Sequence, residues 1–148
     1  MKIAILNGPN LNLLGVREPA VYGRETLADV ERSLRSTASE LRVDLLFDQR
    51  NGEGELIDLI HSLRGQVDGV VINAGAYSHS SLAIRDALGA IGVPFIEVHI
   101  TNVYAREPER RHSMLAPGAK GVVCGLGTYG YEAALRGLTR SLPKRRRA

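Results

Sequence analysis

Short runs of branched apolar residues alternate along this chain with longer runs in which apolar residues recur every three or four positions, and few folds accept that pattern. The short runs, at 2–7, 43–48, 69–73, 95–99 and 121–124, have strand length. Between the first two, Leu27, Val30, Leu34, Ala38 and Leu41 put one apolar stripe on a helix, and Thr26 followed by Asp29 predicts a capping box at its start. Leu56, Ile57, Ile60 and Leu63 predict a second helix, 82–90 a third, and Tyr131, Ala134, Leu135, Leu138 and Leu142 a last one. Strand–helix alternation of this spacing predicts a parallel sheet with helices on both faces, and continuous Val/Ile/Leu runs suit strands buried on both sides.

Five such strands in 148 residues predict a doubly wound α/β sheet of the flavodoxin-like order 2-1-3-4-5, in which ligands bind beyond the carboxyl ends of the strands. Residues 1–142 read as one catalytic-size domain, and 143–148 as a basic tail expected to be disordered. Lys144, Arg145, Arg146 and Arg147 more than account for the net charge of +3, so the body is close to neutral and nucleic acid is not an expected partner. No apolar run approaches a membrane span. The opening residues break at Gly8-Pro9 too early for a signal peptide. A single cysteine, Cys124, suits a cytoplasmic location and reads as a buried core thiol.

The polar residues collect after the strands. Asn7-Gly8-Pro9-Asn10, then Arg17 and Tyr22, follow the first; Asn73 to Ser80 follow the third; Glu97 and His99 lie within the fourth, which runs into Ile100-Thr101-Asn102. All should converge on one edge of the sheet. Glu97 and His99 are two apart on a strand and so face the same way. They are either a general acid steered by a carboxylate or a mutually satisfied buried pair without chemistry. Arg17 and Tyr22 stand in a long connection bracketed by Gly15 and Gly23, as on a hinged lid. A phenol titrates near 10 and serves as a base only where a cation stabilises its anion, which Arg17 is close enough in sequence to do. The alternative is a surface tyrosine beside a solvated arginine. The histidines, His61, His79, His99 and His112, lack ligand spacing, and no metal or cofactor is expected. Gly125-Leu126-Gly127-Thr128-Tyr129-Gly130 matches a dinucleotide fingerprint, but only one helix follows it, so a tight turn and close packing are the expected roles.

Gly8 to Gly15, Arg17-Glu18-Pro19, Tyr22-Gly23, Asn73 to Tyr77, Ile96 to Asn102, Arg106-Glu107, Arg111-His112-Ser113 and Gly125-Leu126-Gly127 together resemble type II 3-dehydroquinate dehydratase over nearly the whole chain. The resemblance implies an anti elimination of water from 3-dehydroquinate, through an enolate, in the shikimate pathway. It implies Tyr22 as base with Arg17 beside it, Asn10 holding a water at the enolate oxygen, and His99, oriented by Glu97, as acid. Asn73, His79 and Arg110 would bind substrate hydroxyls, and Ile100 and Thr101 its carboxylate. Asp86 would be contributed from a neighbouring subunit of a homododecamer built of four trimers. The sequence departs from the family's usual residues at Arg50, Gly52, Pro108 and Glu109, and at Ser78, Ser80 and Thr101, where a hydroxyl is kept. A flavin- or nucleotide-binding module on the same fold is the alternative reading.

Overall fold

The computed structural model describes residues 1–144. Five parallel strands, β1 (Lys2–Asn7), β2 (Asp44–Gln49), β3 (Gly69–Asn73), β4 (Phe95–His99) and β5 (Gly121–Cys124), form one sheet in the order β2-β1-β3-β4-β5. That is the order expected from the alternation of elements. The helices are α1 (Pro19–Tyr22), α2 (Leu27–Leu41), α3 (Glu53–Ser62), α4 (Leu82–Ile91) and α5 (Tyr129–Ser141).

Successive side chains of a strand point to opposite faces, so each central strand feeds two cores. Ile3 and Ile5 of β1 pack with Val30 and Leu34 of α2 and with Leu135 and Leu138 of α5 on one face. Ala4 and Leu6 pack with Leu56 and Ile60 of α3 and with Ile84 and Leu88 of α4 on the other. Burying each Leu or Ile in this way contributes about 1.5–3 kcal/mol. The cap on α2 forms as the sequence suggests: the Thr26 hydroxyl accepts from Asp29 N at 3.2 Å, and the Asp29 carboxylate accepts from Thr26 N at 2.9 Å.

Several expectations need correction. Strand β2 begins one residue later than the apolar run does, because Val43 N turns back to bond Ala38 O at the end of α2. Helix α3 begins three residues before its apolar stripe and α5 two, since helix starts carry polar and small residues. Burial on both faces holds for β1, β3 and β4 but not for β2 and β5, whose position at the sheet margins leaves them half-covered. Cys124, on β5, is for the same reason only half-buried, not a core thiol. Residues 145–148, most of the basic tail, lie outside the described residues. Among the described residues no helix is long and apolar enough to cross a membrane.

The strand order reverses between β1 and β3, which creates the crevice of a doubly wound sheet, because the connections leaving these parallel neighbours run to opposite faces. There Asn7 and Asn73 end their strands side by side in register. A Cβ at Gly8 would sit 2.4 Å from the carbonyl oxygen of Ala74, so only glycine lets these two chain segments run together.

Candidate active site

A cleft opens at the carboxyl ends of β1, β3 and β4. It is lined by Asn10, Arg17, Tyr22, Asn73, His79, His99, Ile100, Thr101, Arg106 and Arg110, among others. Three stretches far apart in sequence thus meet at one place. Asp86 does not line it; it is exposed on α4.

On one side stands Tyr22, at the end of the four-residue helix α1. Gly15, before this helix, has φ +87° and a Cβ there would lie 2.7 Å from Arg24 O, so the entry to the segment is shaped around a missing side chain. Two guanidinium groups flank the phenol ring, with Arg17 Cζ at 5.2 Å and Arg106 Cζ at 5.4 Å from its centroid. Arg17 therefore reaches the ring, but the group that donates to the phenol oxygen is Arg106, whose Nη1 lies 2.9 Å away. Sequence reasoning quoted Arg106 within a motif and gave it no role. Its 84-residue separation from Tyr22 hides the contact from any local pattern.

Opposite stands the buried pair on β4. His99 Nε2 is 2.7 Å from Glu97 Oε1, and the two residues are 6% and 0% exposed. A carboxylate so deeply buried is tolerable only when its oxygens are bonded. The Ser113 hydroxyl is its second partner, within donating distance of both carboxylate oxygens. With Nε2 engaged, Nδ1 is the His99 ring nitrogen left for the cleft.

His79 stacks on His99 with ring centroids 5.6 Å apart and planes inclined by 20°. Its Nδ1 is 2.8 Å from the carbonyl oxygen of His112, which can only accept, so Nδ1 carries the hydrogen and Nε2 is an acceptor. Burial first, and the neighbouring His99 and Arg110 next, hold His79 below the usual histidine range, against the opposing pull of the bond to His112. Arg110 is ion-paired with Glu107, which keeps its guanidinium firmly charged. With Arg17, Arg106 and Arg110 around it, the cleft attracts an anion.

Asn73 is held by α5. Its Nδ2 donates to the hydroxyl of Tyr131 at 2.9 Å, and that hydroxyl donates to Asn7 Oδ1 at 2.7 Å. Tyr131 is fully buried, and burial pushes its phenol far above the ordinary value, so it stays a neutral donor. Gly75 N donates to Asn73 Oδ1 at 3.1 Å, which sets which end of the amide is which. Asn10 sits at the cleft mouth in the left-handed region, φ 68°, its backbone N–H bonded to Asn51. Thr101 Oγ1 approaches Arg106 Nη1 at 3.5 Å.

Near these residues Gly125 and Gly127, both at positive φ, make a turn, with Gly127 N bonded to Ile100 O at 3.0 Å, and Gly130 of α5 faces Val98 and Val123. Among the described residues no three His, Cys, Asp or Glu side chains are grouped to hold a metal ion.

The sequence profile described as Dehydroquinase class II matches residues 1–139. The chain belongs to the class II dehydroquinases. It is 61% identical over 148 residues, all of this chain and 97% of the relative, to the 3-dehydroquinate dehydratase of Gemmatimonas aurantiaca. It is 57% identical to the catabolic 3-dehydroquinase of Verticillium alfalfae, over 90% of this chain and 89% of that one. Among solved structures, the type II dehydroquinase of Propionibacterium acnes superposes with a TM-score of 0.91 at 42% identity, over 95% of this chain and 97% of the other. A flavin- or nucleotide-binding module is not favoured by these matches.

Proposed function

We infer that this chain catalyses the dehydration of 3-dehydroquinate to 3-dehydroshikimate, a step of the shikimate pathway, by anti elimination through an enolate. The observation that carries the reading is that a phenol flanked by two guanidinium groups and an imidazole backed by a buried carboxylate line one anion-attracting cleft. Removing a proton beside a ketone needs a base and a stabilised oxyanion, and expelling hydroxide needs an acid.

In this reading the Tyr22 oxygen, as phenolate, takes the proton; Arg106 and Arg17 stabilise its negative charge beforehand. The electron pair of the broken C–H bond moves onto the ketone oxygen, where a water held by Asn10 donates. Protonated His99, oriented by Glu97, then gives its proton to the departing hydroxyl, which leaves as water. Asn73, His79 and Arg110 bind substrate hydroxyls, and the backbone of Ile100 with Thr101 binds the carboxylate. Neutral His79, with Nε2 an acceptor, suits a hydroxyl that donates. General acid and general base each supply on the order of 10²–10⁴ in rate. The route uses no metal and no organic cofactor.

The reading extends to a cytoplasmic homododecamer. A lone half-buried cysteine suits a reducing compartment. Exposed Val122, Leu126 and Tyr129 beside the margin strand β5 suit burial in an assembly, and Asp86, outside its own chain's cleft, would act across a subunit contact. The test is to add 3-dehydroquinate to purified protein and follow the conjugated product by ultraviolet absorbance, with chelator present. Tyr22→Phe should abolish turnover and His99→Ala should impair it severely; full activity in Tyr22→Phe would remove the assigned base.

A further inference from the structure

We propose that Ser113 is the positioning residue of the acid: it holds Glu97 as an acceptor and thereby decides which nitrogen of His99 delivers the proton. The proposal rests on His99 being the acid. Ser113 Oγ accepts backbone N–H from Leu115 at 3.1 Å and from Ala116 at 3.0 Å. A serine hydroxyl has two acceptor lone pairs and one hydrogen. Both lone pairs are thus occupied, and only the O–H remains to be given. Its acceptors are the two oxygens of Glu97, Oε1 at 2.7 Å and Oε2 at 2.9 Å.

Glu97 is 0% exposed, so solvent offers its carboxylate no substitute donor. A protonated Glu97 would have to give its hydrogen to His99, and its contact with Ser113 would still have to be an acceptance. A neighbour that can only donate favours the carboxylate over the acid. The hydrogen between Glu97 Oε1 and His99 Nε2, 2.7 Å apart, therefore belongs to the imidazole. The proton that leaves for the substrate then sits on Nδ1. When the Nδ1–H bond breaks, the proton joins the departing hydroxyl as water, the C–O pair goes to that oxygen, and Glu97 remains a carboxylate throughout.

Ser113 lies on the connection between β4 and β5, fastened by the same two backbone bonds, so its hydroxyl direction is set by the chain and not by a freely turning side chain. Outer partners that orient a functional group in this way are commonly worth 10–100-fold.

The experiment measures steady-state turnover of 3-dehydroquinate across pH for the wild type, Ser113→Ala, Ser113→Thr and His99→Ala, with thermal unfolding of each. Ser113→Ala should lower kcat by about tenfold or more with KM within about threefold. Ser113→Thr, which keeps the hydroxyl, should recover most of the lost kcat. If Ser113→Ala does not fold, Ser113→Cys, of similar size but a weak donor, carries the same expectation. Wild-type kcat in the folded alanine or cysteine variant overturns the proposal, as does a folded Ser113→Thr no better than Ser113→Ala. An active His99→Ala would instead remove the acid itself, and this proposal with it.

Discussion

Replacing Tyr131 by Phe removes one oxygen atom from the centre of the protein and keeps the ring that fills the space between α5 and the sheet. The hydroxyl has two partners, Asn7 Oδ1 at 2.7 Å and Asn73 Nδ2 at 2.9 Å, on residues 0% and 4% exposed. Asn7 has no water to turn to once the hydroxyl is gone, and Asn73, though it borders the cleft, is almost as deeply buried. A buried polar group left unbonded costs about 1–3 kcal/mol, so two orphaned groups amount to roughly 2–6 kcal/mol. The variant no longer has to desolvate a hydroxyl, which offsets part of this and brings the expected loss to about 3 kcal/mol. For a domain of this size, each kcal/mol moves the melting midpoint by about 2–4 °C, so a fall of roughly 6–12 °C is expected. Circular dichroism during heating and equilibrium urea unfolding, at one protein concentration, measure it. Packing is conserved, so a cavity cannot account for the change. A loss under about 0.5 kcal/mol, the level of an ordinary surface substitution, would refute the claim that this hydroxyl ties α5 to the ends of β1 and β3.

Arg106→Gln removes the group that donates to the Tyr22 oxygen, and kcat should fall on the order of 10²-fold, as when an oriented donor is lost from a charge-stabilising site; a change below about threefold in steady-state assays would return that role to Arg17 alone. Gly8→Ala forces a methyl to 2.4 Å from a backbone oxygen that cannot retreat, and should cost about 3 kcal/mol in urea unfolding, together with activity. His79 titrates below its unfolded value, 6.5, so its contribution to stability is present above that pH and is lost as pH falls through the folded value. Unfolding free energies measured from neutral pH downward should therefore decline less steeply in His79→Gln than in the wild type; parallel curves would contradict the assignment.

The fold was largely legible because its signals are local. Strand-length runs bounded by glycine and polar residues marked β1, β3, β4 and β5 to the residue, and the periodic stripe with its Thr26 cap marked α2. Errors arose at the sheet margins. Hydropathy reports that Cys124 and its neighbours are apolar, but whether a strand is central or marginal depends on pairing order, which one strand's residues do not encode. The site was legible in part for the same reason. Glu97 and His99 are two residues apart on one strand, so their meeting follows from the pleat. Arg106 and Tyr22 meet across 84 residues and Tyr131 and Asn7 across 124, and no periodicity in the sequence announces such contacts.

The connection between β4 and β5 grips three working parts of the cleft. Arg106 reaches the phenol, the carbonyl of His112 fixes the tautomer of His79, and Ser113 meets the carboxylate behind His99. These three grips fall within eight consecutive positions, 106–113, so a one-residue insertion there would displace both ends of the proton circuit in a single stroke. Length drift in this stretch should therefore be poorly tolerated, and paired substitutions within it should combine non-additively even where their side chains never meet.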